Sequence, residues 1–221
     1  MSGIVIFGAG GRAGRAVTAE ALARGHQVTA VVRDPSRHPD IAAEGVHVVR
    51  GDVRDGPATA SIARGHSAAV SAVTPASGPE ALAALGPLDA RFFADAADAL
   101  LDGLPRAGVR RLVVIGLFAN LLGDGGRPVH DDPAAFPAHL RPFALSHAAG
   151  LDRLRAAGAG VDWLMLTPPA GLDAAGPRLG RYRIGGERLP ASGLSYADLA
   201  VAVLDEVETP TLHRRRVSVF H

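Results

Sequence analysis

Three glycines near the N-terminus have the spacing that lets a backbone turn hold a pyrophosphate. Gly8, Gly11 and Gly14 lie directly after an apolar run and open an amphipathic segment. The first permits a tight turn, the second lets the backbone approach the pyrophosphate, and the third lets the helix pack closely on the strand. The free N–H groups of the helix then hold the anion. The residues of this turn predicted to bind a dinucleotide are Gly8, Gly10, Gly11, Arg12, Ala13 and Gly14.

The residues after the second apolar run indicate a phosphorylated cofactor. About 20 residues past such glycines, an acid favours the 2′-hydroxyl of NAD, and an arginine accommodates the 2′-phosphate of NADP. Arg33 takes the first position after the run, and Asp34 follows it. Arg12 could place a second guanidinium near the same phosphate. We therefore predict NADP(H) in preference to NAD(H); the alternative is that Asp34 holds the ribose of NAD.

Later turns are expected to complete the cofactor site. Asp52 could accept a hydrogen bond from the adenine amine and Val53 could pack on the ring, although Asp52 would also suit a helix N-cap. The nicotinamide is expected at the carboxyl ends of the following strands, where open α/β sheets bind ligands. The residues predicted there are Ala72, Val73, Thr74, Gly116 and Pro168.

Few side chains are candidates for acting on a substrate. His147 could donate a proton, although a histidine in an uncharged helical stretch is more often a partly exposed spacer. An aromatic substrate pocket could be lined by Leu117, Phe118 and Phe143. For the two phenylalanines, a position in the hydrophobic core is equally expected. Residues 130–132, His-Asp-Asp, are expected to form a solvated loop, because consecutive residues rarely converge on one ion. No metal site is predicted.

The elements that position these residues alternate along the chain. Short apolar runs alternate with helical patterns, which is typical of a parallel sheet covered on both faces. The predicted fold is α/β, a doubly wound, mostly parallel Rossmann sheet in one domain over 1–221, with about 168–221 contributing a small extension on the substrate side. Strands are predicted at 3–7, 27–32, 46–50, 68–73, 110–115, 161–166, 182–184 and 217–220, and helices at 12–24, 57–64, 88–106, 143–156 and after Ser195.

Three patterns in the C-terminal half carry structural expectations. Ser195 with Asp198 three residues later predicts a capping box at a helix start. Trp163 lies within an apolar run and is expected in the core. The arginines 214–216 precede the last predicted strand and are expected to form a solvated edge.

Composition excludes several classes of chemistry. The chain has no cysteine, which excludes disulfides and thiolate nucleophiles, and all 23 of its Lys and Arg residues are arginine, which excludes lysine Schiff bases. The net charge of +1 offers no electrostatic case for nucleic acid. No apolar run approaches the roughly 20 residues needed to span a bilayer. We expect a cytoplasmic protein, a monomer or small homo-oligomer, that acts on a small-molecule acceptor without nucleic-acid or membrane partners.

With these turns in place, the chain resembles the atypical short-chain dehydrogenase/reductases. It is most similar to their small NAD(P)H-binding branch described as NADH-flavin reductases, related to biliverdin/flavin reductase B. The resemblance covers nearly the whole chain. It rests on the glycine turn and on residues 32–35, 51–53, 161–168, 180–183 and 195–200.

The resemblance implies an unusual catalytic arrangement. Short-chain dehydrogenases use a Tyr-x-x-x-Lys pair as general acid, and this chain has no lysine and only Tyr182 and Tyr196. A flavin or quinone can accept hydride and take its proton from solvent, and the related flavin reductases likewise lack the pair. The leading hypothesis is therefore NAD(P)H-dependent hydride transfer to a planar acceptor. The alternatives are a non-catalytic NADP(H)-binding sensor or scaffold, and an isomerase or dehydratase of a small metabolite with His147 or Tyr182 as the acid.

Overall fold

A computed structural model describes residues 3–76, 86 and 88–221. None of the helices in these ranges is long and apolar enough to cross a membrane. The helices are α1 Arg12–Ala23, α2 Gly56–Ala63, α3 Phe92–Arg106, α4 Arg141–Ala156 and α5 Tyr196–Glu208. The strands are β1 Gly3–Phe7, β2 Gln27–Val32, β3 Val46–Arg50, β4 Ala68–Ser71, β5 Arg111–Ile115, β6 Asp162–Thr167, β7 Leu172–Asp173, β8 Arg183–Ile184, β9 Leu194–Ser195 and β10 Arg215–Phe220.

Most of the described strands form one large sheet in the order β3-β2-β1-β4-β5-β6-β10-β8. Its neighbours run parallel except β8, which is antiparallel to β10. The short β7 and β9 pair separately. The chain proceeds outward in opposite directions from β1 and β4, and their carboxyl ends therefore flank the crevice where this type of sheet binds ligands. The predicted doubly wound Rossmann fold is confirmed.

The sheet is covered on both faces because successive side chains of each strand enter different apolar clusters. In β1, Ile4 and Ile6 belong to the cluster that includes α1 and α5. Val5 and Phe7 belong to the cluster that includes α3 and α4. Trp163 lies in the second cluster at 2% exposure, so its predicted core position is confirmed.

Four predicted boundaries differ by two residues or more. Helix α4 begins at Arg141 instead of 143, and β10 begins at Arg215 instead of 217. The other two differences concern the site. The fourth strand ends at Ser71, so Ala72 and Val73 lie in the loop that follows it. Helix α3 begins at Phe92 and not at 88, because the preceding residues form a turn in which the N–H of Phe92 donates to the carbonyl of Asp89 at 3.0 Å.

Only half of the predicted capping box is present at α5. The Ser195 hydroxyl accepts from the N–H of Asp198 at 3.0 Å. The Asp198 carboxylate does not reach back; it accepts from the N–H groups of Leu179 and Gly180 and lies 2.8 Å from the ring of His221. This carboxylate therefore fixes the loop after β7 to α5.

The predicted solvated edge at 214–216 is wrong for Arg216. Its side chain is buried, donates to the carbonyl of Asn120 at 2.8 Å and pairs with Glu187 at 3.1 Å. The two preceding arginines are exposed. Because β10 lies between β6 and β8, its side chains are buried on both faces of the sheet from Arg216 to Val219.

Candidate active site

The turn after β1 brings backbone atoms so close that side chains are excluded at two positions. Gly8 has a φ of +80°, and a Cβ there would lie 2.6 Å from the carbonyl oxygen of Ala72. A Cβ on Gly14 would lie 2.3 Å from the carbonyl oxygen of Gly8. The start of α1 can therefore pass directly against the end of β1 only with glycine at these positions.

The amide groups of the first turn of α1 have no cap. Gly11 is the N-cap residue and supplies no side-chain acceptor, and its own N–H donates to the carbonyl of Gly8 at 3.1 Å. The next three N–H groups find no backbone acceptor among the described residues. Uncapped amides at a helix N-terminus attract anions. The free amides of this turn therefore fit the diphosphate of a dinucleotide.

The loop after β2 is anchored on the glycine turn. A Cβ on Gly10 would lie 2.5 Å from Nε2 of His38, so the histidine ring occupies the space above this glycine. Arg15 donates from Nε to the carbonyl of Gly10 at 3.0 Å and pairs with Asp40. The hydrogen bond from Arg15 lowers the pKa of Asp40. His38 was missed in the sequence because its contact with Gly10 is made through tertiary structure.

A cleft of about 340 Å³ opens beside this turn, and we call it the glycine-turn cleft. It lies over the carboxyl ends of β1, β2 and β4 and the turn after β3. Of the predicted cofactor residues, it is lined by Gly8, Gly10, Gly11, Arg33, Asp52, Val53, Ala72, Val73 and Thr74. Arg37, His38 and Phe92 also line it and had no recognised sequence signal.

The two residues that follow β2 have different surroundings. The Asp34 carboxylate accepts from the N–H and the hydroxyl of Ser36 at 3.1 and 2.7 Å, and these bonds lower the pKa of Asp34. Asp34 is absent from the lining of the glycine-turn cleft, whereas Arg33 is part of it. Arg33 makes no hydrogen bond or ion pair with the described residues.

Asp52 lines the glycine-turn cleft as an ion-paired carboxylate. Arg54 donates to it from Nη2 at 2.9 Å and from its backbone N–H at 3.0 Å, and this pairing lowers the pKa of Asp52. The N-cap alternative for Asp52 is wrong, because Asp55 caps α2 by accepting from the N–H of Ala58 at 2.9 Å.

A second cleft, of about 560 Å³, meets the first at Gly11, residues 72–74 and Ala76 and extends over the ends of β5 and β6. We call it the aromatic cleft; its volume is in the range of small-molecule sites. The remaining predicted residues that line it are Arg12, Ala13, Gly116, Leu117, Phe118, Phe143, His147 and Pro168. Phe136, His139 and Tyr196 line it without having been predicted. Gly14 lines neither cleft, because it packs behind the turn.

The loop between β5 and α4 forms one wall of the aromatic cleft and has a small core of its own. Ala119, Val129 and Phe136 pack together with Ala144 of α4. His130 is buried, and its Nδ1 lies 3.0 Å from the carbonyl oxygen of Ala119. The predicted solvated loop is therefore wrong at His130. This packing gives the cleft an ordered wall.

His147 lies beneath the aromatic cleft, in the interior. It is 7% exposed, its ring centroid lies 4.3 Å from that of Phe93, and it also lines a small inner cavity together with Ser71. The expectation of a partly exposed spacer is wrong. Burial lowers the pKa of His147 to about 4, so the imidazole is neutral near pH 7. In this form it can donate and accept hydrogen bonds, but it is a poor general acid.

The two tyrosines lie in different surroundings. The hydroxyl of Tyr182 donates to Asp205 at 2.8 Å, and burial together with this carboxylate raises the pKa of Tyr182. Tyr182 lines neither cleft. Tyr196, the first residue of α5, lines the aromatic cleft, and its hydroxyl makes no hydrogen bond within the described part of the chain.

Comparisons with known proteins agree with this geometry. A family model described as NAD(P)H-binding matches residues 8–210. The Bacillus subtilis "Uncharacterized protein YwnB" is 33% identical over 222 residues, which are 98% of this chain and 97% of that protein. A solved "putative epimerase" from Bacteroides thetaiotaomicron has a TM-score of 0.83 at 29% identity, covering 100% of this chain and 97% of the other. A solved "putative NADH-flavin reductase" from Streptococcus pneumoniae has a TM-score of 0.78 at 26% identity, covering 100% of both chains.

Replacing Gly14 with alanine is expected to weaken nucleotide binding by about tenfold or more, a loss of about 1.4 kcal/mol. The added Cβ would lie 2.3 Å from the Gly8 carbonyl oxygen, so α1 must move away from the anion-binding turn. Titration of NADPH and NADH by fluorescence measures the effect, with circular dichroism to check folding. Gly158→Ala is the matched control, because a Cβ there meets nothing within 4 Å. Wild-type affinity in Gly14→Ala would contradict the assignment.

The buried His147 should make the fold less stable in acid. The folded pKa is about 4 and the ordinary value 6.5, so the unfolded chain takes up the proton first as the pH falls. The contribution of neutral His147 to the free energy of unfolding is complete above about pH 6.5. As the pH falls from about 6.5 to about 4, the free energy of unfolding decreases by on the order of 3 kcal/mol. Urea unfolding of His147→Gln should show a shallower loss over this range. The same substitution at exposed His47 should keep the wild-type pH dependence; equal pH slopes in all three proteins would refute the interpretation.

Proposed function

Because the chain belongs to the NAD(P)H-binding family, we propose that it is an NADPH-dependent reductase that transfers hydride to a planar acceptor such as a free flavin or a quinone. One observation carries the proposal. The glycine-turn cleft and the aromatic cleft meet at Gly11, residues 72–74 and Ala76, at the carboxyl ends of the central strands. An extended dinucleotide in the first cleft and an acceptor in the second would be in contact at this junction.

The walls of the aromatic cleft suit a flat, apolar ring system. Phe118, Phe136 and Phe143 line it, and the first two pack edge-to-face with ring centroids 5.8 Å apart. Aromatic side chains bury large apolar areas and favour ring-to-ring contacts. These residues would orient the acceptor and exclude water from its faces.

The proton balance also favours such an acceptor. A bound reduced nicotinamide supplies a hydride, and the reduced acceptor contains that hydride and one further proton. The chain has no lysine for a tyrosine–lysine pair, and buried His147 is neutral near pH 7 because its pKa is lowered to about 4. A flavin or quinone can take its proton from water, so it needs no strong acid from the chain.

We further propose that NADPH is preferred over NADH. Arg33, Arg37 and His38 line the glycine-turn cleft at the end of β2. The carboxylates close to them are already engaged, since Asp34 accepts from Ser36 and Asp52 pairs with Arg54. Arg33 and Arg37 make no side-chain hydrogen bond or ion pair with the residues that the structure describes. Such arginines suit the doubly charged 2′-phosphate, which accepts bidentate hydrogen bonds.

The reductase activity is tested by the loss of the near-ultraviolet absorbance of NADPH on adding FMN, riboflavin or a naphthoquinone. We expect turnover that depends on both the protein and the acceptor. Gly14→Ala should reduce it, because the anion-binding turn is disrupted. Tight NADPH binding without turnover across a panel of flavins and quinones would refute the reductase and support the non-catalytic sensor.

The cofactor preference is tested by titrating wild type and Arg33→Ala with NADPH and NADH. Wild type should bind NADPH more tightly than NADH by a factor of about ten or more, which is the effect of one strong charged contact. Arg33→Ala should lose most of this difference while changing NADH affinity little. Arg106→Ala is the control, because Arg106 is exposed at the end of α3 and pairs with Asp102. Equal affinity of wild type for the two cofactors would overturn the assignment.

A further inference from the structure

Arg12 is the only Asp, Glu, Lys or Arg side chain among the described residues that line the aromatic cleft. It is exposed and makes no hydrogen bond or ion pair with the described residues. It does not line the glycine-turn cleft, where Arg33 lies, so the structure separates the two arginines that the sequence suggested would share a phosphate. A lone guanidinium at the rim of an apolar cleft is suited to an anionic group of a ligand.

A groove along α1 begins at the same side chain. This α1 groove, of about 600 Å³, is lined by small residues of α1 and of the loop after β7, among them Ala16, Ala19 and Gly176. Arg12 and Tyr196 are the two residues that line both the α1 groove and the aromatic cleft. A ligand that is too long for the aromatic cleft could leave it between these two side chains.

The charges along the α1 groove do not oppose an anion at that exit. Its one carboxylate is Glu20, which is 5% exposed and is bound by Arg178 at 2.8 Å and by Arg24 at 2.7 Å. These bonds lower the pKa of Glu20 to about 2, and the bond from Arg178 has the larger effect. Its charge is therefore compensated by two guanidinium groups, whereas that of Arg12 is not.

We propose that Arg12 and Tyr196 form a subsite for a phosphate, sulfonate or carboxylate carried by the acceptor. The acceptor would then be a planar ring system with an anionic tail, such as FMN, with its ring in the aromatic cleft and its tail directed into the α1 groove. The guanidinium can donate two parallel hydrogen bonds to such a group, and the tyrosine hydroxyl can donate a third. This inference rests on the proposed reductase function and specifies its substrate class.

The test compares FMN with riboflavin, which share the ring system and differ by the phosphate. With saturating NADPH, wild type should have a kcat/KM for FMN about tenfold or more above that for riboflavin. In Arg12→Met this ratio should fall toward one, and in Tyr196→Phe it should fall several-fold. Arg106→Met removes the same charge from an exposed i,i+4 pair that lines neither cleft, so it should keep the wild-type ratio.

Binding supplies a readout that does not depend on turnover. Quenching of flavin fluorescence, with the protein saturated with NADP⁺, measures the affinities of the same four proteins for FMN and riboflavin. Selective loss of FMN affinity in Arg12→Met would support the subsite even if no hydride transfer is seen, in which case only the reductase is refuted.

Two results would overturn the subsite. One is a wild-type ratio near one in both binding and turnover. The other is weaker NADPH binding by Arg12→Met with the FMN-to-riboflavin ratio unchanged, which would assign Arg12 to the cofactor.

Discussion

The contact between the backbones of Gly8 and Gly14 is the constraint on which the rest of the site depends. With no side chain at Gly14, α1 begins directly against the end of β1. Since β1 lies between β2 and β4 at the centre of the sheet, this brings an uncapped helix N-terminus to the point where the two clefts meet. A bulkier residue would move α1 and the walls of both clefts with it.

The aromatic cleft and the α1 groove depend on loops that are fixed by contacts outside the glycine turn. The wall between β5 and α4 is ordered by its own small core around Phe136. The loop after β7, which lines the α1 groove, is held by the buried carboxylate of Asp198, which accepts from two backbone N–H groups. Rigid loops on the carboxyl side of a parallel sheet are suited to positioning a ligand without a large entropic cost. The site therefore combines a backbone-built anion turn with a side-chain-built apolar pocket.

Electrostatic pairing decides which charges remain available to ligands. Because every basic side chain other than histidine is arginine, pairs such as Arg15 with Asp40 and Arg54 with Asp52 satisfy the carboxylates near the clefts. Arg12 and Arg33 have no such partner in the described structure and line different clefts. Guanidinium groups remain charged at all ordinary pH values, so each of these two positions favours an anionic group in its own cleft.

The sequence by itself determined the order of the elements and the anion-binding turn, because both depend on local properties: alternation of apolar runs and helical patterns, and glycine where no Cβ fits. It could not determine which polar side chains are buried or brought together. His147 was expected to be a partly exposed spacer, Arg216 a solvated edge residue, and Tyr182 a possible acid. The structure buries the first two and pairs Tyr182 with Asp205. It also brings His38 onto the glycine turn. These positions depend on contacts between residues far apart in the chain. They were decided only by the packing of α4 and α5, by the place of β10 within the sheet and by the contact of the loop after β2 with the glycine turn.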